Sequence, residues 1–248
     1  MFSLDTLRAL EASAEPCLTW YGQARTELVG SNVARWISKC AGAIYEFADE
    51  QAHVAVAMPP SWQALMWLTG TGFTEGTALW FANPAHVEPA EFEVIITDNA
   101  DWAKRWAAAD PGLVVALHDL SPMALGWTGE LPAGVVDAIA QTHGQPDQME
   151  FLPAPVCEVP QENEPENTHG NPVPSTVRAG KASAGLVEAL TSEVAIFDAT
   201  AAPNPRGWAA RILSGFEQNR RVLWVGSGWK VGSVIEQEGI DPHALEWK

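Results

Sequence analysis

Short apolar runs rich in β-branched residues alternate with segments of helical period along this chain, and that rhythm restricts its fold more than any other feature. His53-Val54-Ala55-Val56-Ala57-Met58 and Val94-Ile95-Ile96-Thr97-Asp98 are two such runs, with Thr77–Phe81 and Leu113–Leu117 as further predicted strands. Each is too short for a stable helix, and their near-continuous apolar character suits strands buried on both faces. Pro59-Pro60-Ser61 stops the first run and opens a helix through Trp62, Leu65, Met66 and Leu68. An Ala- and Trp-rich helix reaching Ala109 follows the Val94–Asp98 run, and Val135–Thr142 is predicted helical. Strands separated by helices of this length form parallel sheets covered on both sides. The expected fold class is α/β: two lobes with largely parallel sheets flanked by helices.

The N-terminal part reads differently. Leu4, Leu7 and Leu10 recur at helical spacing. Cys17–Tyr21 and Arg25–Val29 are β-type runs around Gly22-Gln23-Ala24, which predicts a hairpin. Ser31 is the expected N-cap of a long helix whose inner face carries Val33, Ile37, Cys40, Ala41, Ile44, Phe47 and Ala48. Gly70-Thr71-Gly72 is expected to cap the helix that starts near Trp62.

Six prolines share the span Pro153–Pro174 with Glu158, Glu162, Glu164 and Glu166. Such a stretch supports neither a continuous helix nor a central strand. The expected organisation is an N-terminal lobe over 1–152, a Pro/Glu-rich loop or linker over 153–182, and a smaller lobe over 183–248. In that second lobe Val187–Leu190 is predicted helical and Val194–Phe197 a strand. Trp208, Ile212, Leu213 and Phe216 make a helical face, Val222–Val225 a strand, and Val231–Gln237 a last helix.

Charge narrows the partners. The net charge of -17 repels phosphate backbones and anionic membranes, so neither nucleic acid nor membrane is expected as a partner. No apolar stretch reaches the roughly 20 residues of a membrane span, and Met1–Asp5 has no basic region of a secretory signal. Cys17, Cys40 and Cys157 have no zinc or redox spacing, and reduced thiols suit a cytoplasmic protein.

The order of segments resembles that of adenylate-forming (AMP-binding) enzymes. Leu18-Thr19-Trp20-Tyr21 with the helix from Ser31 is similar to the family's opening. Val54–Met58, Pro59-Pro60-Ser61-Trp62 and Gly76–Trp80 resemble its next strand–helix–strand run. Val94–Asp98 is similar to the strand before its phosphate-binding loop, while Val194–Ala199, Gly207-Trp208 and Arg221–Val225 resemble segments after it. Short proteins of this type, about half the length of the family's enzymes, are the nearest likeness.

The resemblance implies ATP or AMP as a possible ligand and places the phosphate loop at Thr168–Thr176. Thr168, Gly170, Ser175 and Thr176 keep the loop's chemical type there, but no lysine follows its prolines, and prolines remove N–H donors. Lys181 and Arg178 are the cations near enough to meet an anion there, although two solvated cations in an acidic protein are the favoured reading. The family's later motifs, and the C-terminal lid with its lysine, have no counterpart before Lys248. Adenylation needs several charges and donors gathered at the α-phosphate, and losing one such donor costs on the order of 10²–10³ in rate. No catalytic residue, metal or cofactor is therefore expected.

Other motifs are weaker. Gly226-Ser227-Gly228-Trp229-Lys230-Val231-Gly232 follows a predicted strand and opens a helix, a place where an anion or dinucleotide can sit. A tight strand-to-helix turn needs the same glycines, and Asp241 lies in the terminal turn rather than at ribose distance. His118-Asp119 ends a strand without spaced ligand partners, which suits an ordinary strand-end pair. Twelve tryptophans suit core packing, with a Trp-lined acyl or aryl cleft as the sharper alternative. Three expectations result: a non-catalytic relative binding a small ligand (nucleotide or acyl group) or a protein partner; a reduced acyl-CoA-synthetase-like ligase borrowing groups from another chain; and, less favoured, a dinucleotide binder.

Overall fold

The Ser3 hydroxyl accepts from the Thr6 amide and starts α1 (Leu4–Glu11), whose Leu7 and Leu10 are buried. The computed structural model describes residues 2–48, 51–121, 123–149, 156–157, 161–162, 187–200 and 207–247. Strand β1 (Phe2–Ser3) precedes α1. The expected hairpin is present as β2 (Pro16–Tyr21) and β3 (Arg25–Val29), paired antiparallel. Helix α2 (Gly30–Ala48) follows without a break and buries Val33, Ile37, Cys40, Ala41 and Ile44. Ser31 is inside this helix rather than its cap. The Gly30 and Ser31 amides already bond to the Glu15 and Ser13 carbonyls, at 3.1 and 2.8 Å, so the chain satisfies those donors without a side chain.

The strand–helix rhythm then runs through β4 (His53–Ala57), α3 (Trp62–Phe73), β5 (Thr77–Trp80), β6 (Val94–Thr97) and α4 (Ala100–Ala109). It continues with β7 (Val114–Leu117), β8 (Val135–Asp137), α5 (Ala138–Gly144), β9 (Val156–Cys157) and β10 (Gln161–Glu162). The last elements are β11 (Val187–Leu190), β12 (Val194–Asp198), α6 (Trp208–Glu217), β13 (Arg221–Val225), α7 (Val231–Gln237) and β14 (Glu246–Trp247).

Three segments differ from their predicted form. Val135–Thr142 is not one helix: its first three residues are β8, and the Asp137 carboxylate then accepts from the Ile139 and Ala140 amides to start α5. Val187–Leu190 is a strand because it pairs antiparallel with β12 across a short turn in which the Thr191 amide bonds to the Val194 carbonyl at 2.8 Å. Pairing overrides the weak helical pattern of four residues. Gly70-Thr71-Gly72 lies within α3, which ends at Phe73 and is capped by Thr74. Gly70 is where α2 crosses: a Cβ there would sit 2.8 Å from the Ala41 nitrogen and 3.0 Å from Cys40 Cβ.

Two six-stranded sheets result. The first, β10-β5-β4-β6-β7-β8, is parallel throughout. In the second, β14-β11-β12-β13-β2-β3, the three central strands β12, β13 and β2 are parallel while the outer strands are antiparallel to their neighbours. The N-terminal hairpin thus completes the sheet of the C-terminal segment, so sheet membership does not follow the expected chain division at 152 and 183. One large core joins residues of both sheets with α2, α3 and α6; a second lies under α4, and a third under α7. Residue alternation assigns the faces: Leu18, Trp20, Val222 and Trp224 enter the shared core, whereas Tyr21, Leu223 and Val225 face α7. Among the described residues, no helix is long and apolar enough to cross a membrane.

Candidate functional site

In a parallel sheet every strand delivers its following loop to the same edge. Among β5, β4, β6, β7 and β8 the chain order is 2-1-3-4-5, so direction reverses between β4 and β6. Helix α3 leaves β4 over one face and packs on α2, while α4 leaves β6 and packs under the second core. Diverging connections open a crevice at such a switch point, outside the carboxyl ends of the strands.

Local hydrogen bonds fix the starts of both diverging connections. Ser61 caps α3 by accepting from the Ala64 amide at 3.0 Å, and Asn99 caps α4 by accepting from the Asp101 and Trp102 amides at 3.1 Å each. The Thr97 hydroxyl donates to the Ala57 carbonyl at 2.9 Å, tying β6 to β4. Asp98 projects from the end of β6, and burial raises its carboxyl above the ordinary aspartate range, with a bond to its own backbone opposing.

Farther along the same edge, His118 is only 3 % exposed. Its Nδ1 accepts from the Trp67 indole N–H at 3.4 Å, which leaves the imidazole proton on Nε2. Burial pushes its pKa down to about 4, against the opposing charges of Asp137 and Asp119. Asp119 accepts from the Ser121 amide at 2.8 Å and the Thr128 hydroxyl at 3.1 Å; the Ser121 hydrogen bond is the largest cause holding it below the usual range. Asp137 receives the Trp127, Ile139 and Ala140 amides at 2.7, 2.9 and 3.0 Å. His118 and Asp119 thus stand at the strand end, the first held by the distant Trp67 indole and the second by the nearby Ser121 amide and Thr128 hydroxyl. Neither Lys nor Arg occurs in the connections leaving this edge at 58–61, 81–93, 98–99 and 118–134. Among the described residues this edge is acidic and offers oxygen acceptors, hydroxyls and apolar surface without a Lys or Arg in those connections, while Arg178 and Lys181 follow β10 in the chain outside the described residues.

At the second sheet, Gly226, Ser227 and Gly228 stand together at the carboxyl end of β13. The Gly226 amide donates to the Tyr21 carbonyl at 2.8 Å, and the Trp229 indole to the Gly22 carbonyl at 2.7 Å. A Cβ at Gly226 would come within 2.9 Å of the Tyr21 carbonyl oxygen, and Gly228 has φ 93°. Both glycines answer to the chain's own geometry, a tight turn into the seven-residue α7. Ser227 is exposed. Thr168, Gly170, Ser175, Thr176 and Lys181 lie outside the described residues, as does Arg178.

Two arrangements go beyond the residues singled out from the sequence. Asp98 is the first, and the strand-end rule applied to His118 covers it equally. The second is a polar network on the α7 side of the second sheet. Arg25 Nε bonds to Glu238 at 3.0 Å, Tyr21 and Arg221 also donate to Glu238, and Arg221 reaches Thr19 at 2.9 Å. Burial alone would raise the Glu238 carboxyl, but the bonds from Arg25, Tyr21 and Arg221 together hold it below its ordinary value. Its hydrogen-bonded partners lie up to 217 residues apart in the chain. The tryptophans, by contrast, follow the core expectation. Trp20, Trp80, Trp208 and Trp224 are at most 5 % exposed and meet across the shared core, Trp20 stacking on Trp224 at 4.8 Å between centroids.

No protein-family model matches this sequence, and no curated protein does. Solved structures do. The chain is similar to an acyl-CoA synthetase of Brucella canis, with TM-score 0.62 and 13% identity over 93% of this chain and 45% of that one. It is similar also to the coronafacic acid ligase of Pectobacterium brasiliense, with TM-score 0.56 and 10% identity over 95% of this chain and 47% of that one. The chain has a mixed α/β fold, with parallel sheets flanked by helices, that matches the N-terminal part of such ligases. It spans less than half the length of either.

Proposed function

We propose that this chain is a non-catalytic protein of AMP-binding fold that binds a small ligand, a nucleotide or an acyl group, or a protein partner. The observation that carries the reading is the charge inventory around a ligase-like scaffold. Among the described residues, the carboxyl edge of the first sheet carries Asp98, Asp119 and Asp137 and no Lys or Arg in its connections, and the Thr168–Thr176 stretch has no lysine, Arg178 and Lys181 being the cations that follow it. Adenylation concentrates negative charge at the α-phosphate, and a site of like sign raises that barrier. An acyl group carried without phosphates makes no such demand. For a phosphate-bearing ligand, the groups on offer are Thr168, Gly170, Ser175, Thr176 and Lys181 with the Gly226-Ser227-Gly228 turn.

A second reading draws on the fold likeness. Because the matched structures are acyl-CoA-synthetase-like ligases, a ligase of reduced form that works with a partner chain is the alternative. Free Cys17 and Cys40 suit a reducing, cytoplasmic setting, and the net charge of -17 disfavours nucleic acid and anionic membrane as partners.

Pyrophosphate exchange with a panel of carboxylic acids, run beside thermal shift with ATP, AMP, NAD and acyl adenylates, tests the reading. The expected result is no exchange and stabilisation by one ligand class, about 2.7 kcal/mol at a hundredfold excess over Kd. Reproducible exchange by the purified chain overturns the non-catalytic reading, and exchange appearing only with an added partner chain supports the alternative.

A further inference from the structure

We draw no further inference here: the strongest candidate, the acidic carboxyl edge of the first sheet where Asp98, Asp119 and Asp137 accompany buried His118, belongs to the site already described, and nothing else among the described residues names a ligand for it.

Discussion

Replacing His118 by glutamine should flatten the acid sensitivity of this protein. In the folded chain the imidazole has a pKa of about 4, against 6.5 when unburied. A depressed histidine binds fewer protons folded than unfolded throughout that interval, so its contribution to stability is complete above pH 6.5 and is lost as pH falls toward 4. The full shift corresponds to about 3.4 kcal/mol, and at about pH 4.5 roughly 2.5 kcal/mol of it is already gone. Glutamine keeps an acceptor for the Trp67 indole, whose bond to His118 spans 3.4 Å, but cannot take up a proton. Urea unfolding followed by tryptophan fluorescence, at about pH 7.5 and about pH 4.5, gives the comparison directly. Carboxylates remote from His118 titrate alike in both proteins and cancel in the difference, whereas Asp119 and Asp137, whose charges act on the imidazole, make a smaller contribution of their own. His118→Gln should therefore lose about 2.5 kcal/mol less than the parent on acidification, whatever its stability at the higher pH. Equal acid losses, within about 0.5 kcal/mol, would refute the argument that burial sets this group's charge.

Three further outcomes are expected. Gly70→Ala removes a poor helix former and would ordinarily stabilise, but the added carbon meets the α2 backbone at 2.8 Å, so the urea midpoint should fall by an amount equivalent to about 1–3 kcal/mol; an unchanged or higher midpoint contradicts the close helix crossing. Glu238→Gln leaves Arg25 and Arg221 without their shared carboxylate, and since those side chains are 33% and 26% exposed, solvent moderates the loss to about 1–3 kcal/mol. The carboxyl is held below 4.5, so the parent's advantage should be present above that pH and shrink below it; an advantage independent of pH, followed by thermal unfolding, argues against the network. Finally, Gly228→Ala should cost about 1–2 kcal/mol because its φ of 93° disfavours a side chain, while Ser227→Ala should change stability by under about 0.5 kcal/mol. A Ser227→Ala variant that folds normally yet loses a ligand-induced thermal shift would show that the turn also serves binding.

Local chemistry decided much of this architecture. The proline pair before Ser61, the uninterrupted apolar strands near Val54 and Ile95, and the inner face of α2 each follow from residues a few positions apart, because helix and strand periods act over that range. The hairpin at 16–29 was equally legible, from its β-type runs and Gly22. Where local signals were short or divided, neighbours prevailed. Val187–Leu190 became a strand because β12 and β14 supplied partners on both sides, and Val135–Asp137 because β7 did. The recruitment of the N-terminal hairpin into the sheet of residues 187–247 has no sequence signature at all, since parallel pairing of β2 with β13 joins residues some two hundred positions apart.

The candidate site divides along the same line. That His118 and Asp119 end a strand, and that the surrounding connections lack lysine and arginine, is written in the order of residues. That His118 is buried against Trp67, that Asp98 lies at the reversal between β4 and β6, and that Glu238 gathers two arginines from distant strands came from the tertiary structure alone. Charge and periodicity are properties of the linear chain, whereas desolvation and strand order exist only once distant segments exclude water from one another.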